Sequence, residues 1–204
     1  MVLGAKVKLI IFIFFIVSFS AEFVTSDIIQ KAEQKYGKFA KNRFEALSRL
    51  IIQLQDKSEL EKVEKVNDFF NNVRYKSDKD NYGISDYWAT PYEFLGKDFG
   101  DCEDYVIAKF FVLKHLGVPS NKMYLTYVRA SNYDEAHMVL TYYQTPNSEP
   151  MILDNLRKKL LPASKRTDLR PVYNFNPEVL KENKKTSAHK KWDTLIKNIR
   201  EKKL

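Results

Sequence analysis

The chain has 204 residues, with 34 Lys and Arg against 26 Asp and Glu, three His and one Cys. A hydrophobic content of 44% excludes a disordered chain, and six Gly and seven Pro exclude collagen-like or low-complexity architecture. One Cys excludes an internal disulfide framework and a Cys-rich metal cluster, and the formal charge of +8 sits at the ends, leaving 23 basic and 23 acidic residues in 21–180.

Lys6 and Lys8 precede an apolar run from Leu9 to Phe19, with small residues at Ser18 and Ser20. That composition predicts a secretory signal over 1–20, cut after Ser20 or as late as 26. The alternative is an uncleaved inner-membrane anchor, which Glu22 opposes by ending the run before the roughly 20 residues a spanning helix needs. Either way the rest of the chain is expected to work outside the cytoplasm. Export and a neutral body leave no reason to expect a nucleic-acid partner.

Residues 27–74 read as helical. Leu47, Leu50, Ile51 and Leu54, then Leu60, Val63, Val66, Phe69 and Phe70, recur at three- and four-residue spacing, as core-facing stripes do. Residues 75–100, with Gly83, Pro91, Gly96 and Gly100, read as a long loop with turns. A segment apolar on most faces then runs from Cys102 to the stop signal Gly117-Val-Pro119, and it is read as a buried central helix. Strand-like runs follow at 123–129, 137–144, 151–156 and 171–175, with a hairpin turn at Pro146-Asn-Ser148. The fold class is therefore α+β, with helices packed on an antiparallel sheet, in one domain over 27–180. In the basic tail 181–204, Trp192, Leu195, Ile196 and Ile199 form an amphipathic stripe. Such a helix can lie on a membrane surface, or it can dock on the body, which four apolar positions suffice to do.

Cys102 opens the buried helix, where unpaired N–H groups and the helix dipole can lower a thiol's pKa and hold an oxyanion. A thiolate nucleophile needs a base, and the three His offer one good candidate. His115 is 13 residues further along the same helix, about 20 Å away. His189 lies in the Lys-rich tail. His137 begins a strand, and a base at a strand end facing the helix of the nucleophile is the arrangement of papain-like and transglutaminase-like sites. Asp154, on the next strand, is the expected orienting residue. Asp134 is the alternative, and Asn155 alternates to the opposite face. Tyr87 and Trp88 either line the cleft or pack under their loop.

Asp86-Tyr-Trp-Ala-Thr-Pro91, Gly100-Asp-Cys-Glu-Asp-Tyr105, Ala136-His-Met-Val-Leu140 and Leu153-Asp-Asn-Leu156, in this order, resemble the bacterial transglutaminase-like cysteine proteinases of the LapG type. Pro162-Ala-Ser164, Asp168-Leu and Pro171-Val-Tyr173 fit the same family. The resemblance implies a Cys102–His137–Asp154 protease triad, calcium dependence and a periplasmic location. It also implies a large surface adhesin as substrate, cut near its amino terminus, and control by an inner-membrane cyclic-di-GMP receptor of the LapD type. Such cleavage would release the adhesin and so govern biofilm attachment.

Asp101, Glu103 and Asp104 flank a thiol that must ionise, and their charge opposes ionisation. Favouring the helix dipole accounts for part of this clustering. A hard cation such as Ca²⁺ would account for the rest, and these three are the expected ligands. A different acyl-transfer enzyme, a transglutaminase or a cell-wall amidase, would use the same triad, while a non-catalytic binding module would keep Cys102 as a packed thiol.

Overall fold

The computed structural model describes residues 22–131, 136–178, 187–201 and 203–204, apart from the His189 side chain. The expected signal over 1–20 and the alternative residue Asp134 lie outside the described residues. Among those residues no helix is long and apolar enough to cross a membrane.

Three amphipathic helices come first: α1 (Ser26–Tyr36), α2 (Lys38–Leu54) and α3 (Glu59–Phe70). The chain breaks between α1 and α2 at Gly37, whose φ of 83° suits a residue without Cβ. Ser58 caps α3 by accepting the Glu61 N–H. The periodic residues Leu47, Ile51, Leu54, Val63, Val66 and Phe70 are all buried in the main core.

The stretch 75–100 is more ordered than its glycines and prolines suggest. It follows β1 (Arg74–Tyr75) with α4 (Asp78–Tyr82), α5 (Pro91–Lys97) and β2 (Phe99–Gly100), which pairs in parallel with β1. The reason for α5 is local: Thr90 and Glu93 form a reciprocal capping box around Pro91 at the first turn. The loop reading weighed the helix-breaking residues and overlooked this start signal.

The central helix α6 (Cys102–His115) is buried on nearly every face, with Ile107, Ala108, Phe110 and Leu113 fully enclosed. It packs on a five-stranded antiparallel sheet built from β3 (Met123–Ala130), β4 (Ala136–Tyr142), β5 (Met151–Leu153), β6 (Leu161–Pro162) and β7 (Leu169–Phe175), in the order β6-β5-β4-β3-β7. In the register between β3 and β4, His137 stands opposite Val128 at the start of β4. Leu153 pairs with Leu140 at the end of β5, so Asp154 leaves the sheet where β4 runs back toward His137.

The tail forms α7 (Ser187–Arg200). Trp192 and Leu195 are buried in the main core, and the Trp192 ring stacks on Phe111 at 5.3 Å. Its apolar stripe is thus turned onto the body, the docked arrangement.

Candidate active site

Cys102 is the first residue of α6, where helical N–H groups have no intrahelical partner. Its half-buried thiol meets two groups. It donates to Glu103 Oε2 at 3.1 Å, and it accepts from the backbone N–H of Met138. The second contact fixes the nucleophile against β4 one residue from His137, so the helix start and the strand start converge. His115 sits at the far end of α6 against Phe23, with ring centroids 5.4 Å apart.

His137 and Asp154 are both buried and meet directly, with Nε2 2.7 Å from Oδ1. With Nε2 given to the carboxylate, Nδ1 is the nitrogen left to exchange a proton with a thiol. Burial alone would raise the Asp154 pKa. The hydrogen bond and charge of His137, the Leu156 N–H and Arg166 outweigh it and bring the carboxyl down to about 2. Asp154 is therefore a carboxylate across the working pH range, able to orient the ring and stabilise an imidazolium. Asn155 has its side-chain oxygen buried without a partner and takes no part in this pairing.

Two further anchors hold Asp154. Arg166, almost wholly buried, donates from Nη2 to Asp154 Oδ2 at 2.6 Å and forks onto Asp168. Asn71 donates to the Asp154 backbone carbonyl at 2.8 Å, and the enclosed Lys109 donates to Asn71 Oδ1 at 2.7 Å. Burial pushes the Lys109 ammonium down to about 7.

The carboxylates beside the nucleophile form a compact group. Asp78, Asp101 and Asp104 each offer an oxygen within 4.8 Å of the other two. Asp101 occupies the N-cap position of α6 yet makes no side-chain cap. An N-cap Asp ordinarily contributes about 1 kcal/mol by accepting a first-turn N–H, and here that bond is forgone for the cluster. Asp78 Oδ1, Asp101 Oδ1 and Asp104 Oδ2 are all buried with no hydrogen-bond partner. Burial, then the charge of neighbouring carboxylates (Asp101 on Asp78 and Asp104, Glu103 on Asp101), raises Asp78 to about 7 and Asp101 to about 8, and pushes Asp104 well up. Three orphaned, mutually repelling carboxylate oxygens fit a hard cation and little else. Gly100 keeps the space open, since a Cβ there would come within 2.5 Å of Asp104 Oδ2.

Of the three expected ligands, Asp101 and Asp104 belong to this group. Glu103 stands at its rim, sharing hydrogen bonds with Cys102 and Asp101. Asp78 escaped the sequence reading because it lies 23 positions before Asp101, on α4. Tyr87 and Trp88 lie beside the cluster, which the backbone of Tyr87 and Ala89 serves. The Tyr87 N–H donates to Asp78 Oδ2, and the Ala89 N–H donates to Asp104 Oδ1 at 2.9 Å. Their side chains pack: Trp88 lies edge-on to Trp192, and the Tyr87 hydroxyl donates to Glu93.

Residues 36–194 match the family model described as bacterial transglutaminase-like cysteine proteinase BTLCP. The chain belongs to the bacterial transglutaminase-like cysteine proteinases. It is accordingly a cysteine peptidase, and its helices and antiparallel sheet are the transglutaminase-like fold of that family. Among solved structures it is similar to Legionella pneumophila LapG, at 45% identity over 88% of this chain and 99% of that one, with a TM-score of 0.73. Calcium-bound LapG from the same organism gives 42% identity, 85% and 98% coverage and a TM-score of 0.72. The EGTA-treated form gives 41%, 88%, 100% and 0.72. No curated protein matches the chain. Membership in this proteinase family favours cleavage of peptide bonds over the transglutaminase and cell-wall amidase alternatives, and a catalytic Cys102 over a packed one.

Proposed function

We propose that the chain is an exported, calcium-dependent cysteine endopeptidase of the periplasm. Its substrate is the amino-terminal region of a large surface adhesin, and an inner-membrane cyclic-di-GMP receptor of the LapD type controls it. The observation that carries the reading is the meeting of a helix-start thiol, a buried His137–Asp154 pair and an orphaned carboxylate cluster at one place. The similarity to calcium-bound LapG supports the choice of metal.

The Cys102 thiol loses its proton to His137 Nδ1, and the sulfur attacks the scissile carbonyl. First-turn N–H groups of α6 face the developing oxyanion. His137 then gives its proton to the leaving amine and later activates the water that frees the acyl group, while Asp154 holds the ring throughout. In the arrangement described, burial and the charges of Glu103 and Asp101 push the thiol pKa well up, against ionisation. Asp78, Asp101 and Asp104 are the residues that would hold calcium, whose positive charge would offset this repulsion.

The test is incubation of the purified protein with amino-terminal adhesin fragments, in calcium and in EGTA. Cleavage in calcium alone, lost in Cys102→Ala and His137→Ala, is the expected result. Cleavage by Cys102→Ala, free of contaminating protease, would remove the cysteine mechanism.

A further inference from the structure

Arg166 anchors Asp154 from outside the triad, and it is buried where a charged side chain is costly. It follows a short 3₁₀ turn, Ala163–Lys165, and lines a cavity over β3, β4 and β5. Its neighbours there are largely apolar, among them Val128, Val139 and Ile152, a small second cluster packed by Ala163 and Leu169. Its side chain is 1% exposed, and its Nη1 is buried without a partner. Placing a guanidinium in such surroundings is costly, and a well-packed apolar side chain of similar volume ordinarily serves stability as well or better. Filling space therefore does not account for it.

Its bonds do. Nη2 reaches Asp154 Oδ2 at 2.6 Å, while Nε and Nη2 fork onto the half-exposed Asp168 at 3.0 and 2.8 Å. Asp168 anchors one side of the planar group, so the plane that meets Asp154 is fixed. The opposite Asp154 oxygen, Oδ1, is then the one left for His137 Nε2 and the Leu156 N–H. Without Arg166, the Asp154 carboxylate would rotate about its own bond, and Oδ2 would be a buried acceptor with no donor.

We propose that Arg166 is a positioning residue of the triad, fixing the Asp154 carboxylate so that Oδ1 alone is given to His137 Nε2. The imidazole is thereby locked in the orientation that keeps Nδ1 for the Cys102 thiol. Asp168 is the outer clamp, acting on the guanidinium and not on the carboxylate. The inference rests on the protease reading of Cys102 and His137, but not on the adhesin.

The test uses iodoacetamide alkylation of Cys102 in the calcium-saturated protein, which needs no peptide substrate. A second signal is the low-field proton resonance of the His137 Nε2–H···Asp154 bond. Arg166→Met is expected to slow alkylation about tenfold or more, the scale on which acid–base groups act, and to shift or broaden the resonance. Arg166→Lys should recover part of both, because one ammonium can meet Oδ2 but cannot fork onto Asp168. The decisive comparison is a double-mutant cycle with Asp154→Asn, in which either Arg166 change should cause little further loss. Should Arg166→Met not fold, Arg166→Lys carries the same cycle. Losses that simply add, or a lowered melting temperature with alkylation and resonance unmoved, overturn the proposal alone. A wild-type Cys102 no more reactive than free cysteine would overturn the protease reading and the proposal with it.

Discussion

The Cys102 thiol donates to Glu103 Oε2 at 3.1 Å, so the nucleophile is hydrogen-bonded to the carboxylate of the next residue. A carboxylate accepts well from a neutral thiol and repels a thiolate. Glu103 in turn shares a hydrogen bond with Asp101, which belongs to the cluster with Asp78 and Asp104. The protonation of the nucleophile is thereby tied to the charge of the metal site through a single side chain.

Calcium removal should show in two readouts at once. In EGTA the melting temperature should fall, because a ligand held only by the native state stabilises by about 2.7 kcal/mol at a concentration 100-fold above its Kd. Iodoacetamide labelling of Cys102 should slow in the same samples, since the unneutralised carboxylates favour the thiol. Magnesium should restore little of either, because it keeps its waters and demands strict octahedral geometry. Differential scanning calorimetry with labelling kinetics, in EGTA and with calcium returned, measures both. Equal melting and labelling in metal-stripped and calcium-loaded protein would sink the site.

Stability should depend on pH in opposite senses at the two buried acidic centres. Asp78 and Asp101 rise from 3.8 to about 7 and about 8 on folding, so the native state holds their protons more tightly. Their contribution is present in full below about pH 4 and is lost as pH climbs through 7 and 8. Metal-free protein should therefore melt lower at pH 8 than at pH 6. Calcium should flatten or reverse that slope, because it binds deprotonated carboxylates. Asp154 moves the other way, from 3.8 to about 2, so its contribution is present above about 4 and is lost as pH falls toward 2. A melting series in EGTA that rises from pH 6 to 8 would contradict the cluster's arrangement.

The C-terminal helix should matter to stability through Trp192. The ring is 4% exposed and touches Trp88, Phe110 and Phe111. Trp192→Ala is expected to cost about 3–5 kcal/mol, the usual range for a buried Trp. Urea titration followed by circular dichroism would measure it. A loss below about 1 kcal/mol would mean that the helix docks too loosely to support the body.

Much of the fold could be read from periodicity, because the stripes at Leu47–Leu54 and Val63–Phe70 and the unbroken apolar run of α6 state directly which faces are buried. His137 and Asp154 were within reach because β4 and β5 are consecutive strands, and antiparallel pairing makes neighbours of residues 17 apart. Arg166 and Asp78 were not. Each reaches the site through a loop or short helix, where no period announces the direction of a side chain. Asp101 stands at the helix start without capping it, since its side chain joins the cluster with Asp78 and Asp104. The short β6 and the helices α4 and α5 were missed because two- to seven-residue elements depend on single caps and tertiary contacts more than on pattern.

Asp78 offers the sharpest test of the metal site, since it distinguishes the spatial cluster from a motif confined to Asp101, Glu103 and Asp104. Asp78→Asn keeps the shape of the side chain and the acceptor for the Tyr87 N–H while removing one charge. In EGTA the variant should melt at least as high as wild type at pH 8, because a repulsive, buried carboxylate is gone. In calcium it should gain much less, with affinity lowered about tenfold or more, and cleavage should need correspondingly more calcium. Both effects arise from one lost charge, so they should appear together. Isothermal titration with calcium, beside melting curves in EGTA, reads them separately. Wild-type calcium affinity in Asp78→Asn would exclude Asp78 from the coordination sphere and return the site to the residues flanking Cys102, with Glu103 turned inward from the thiol.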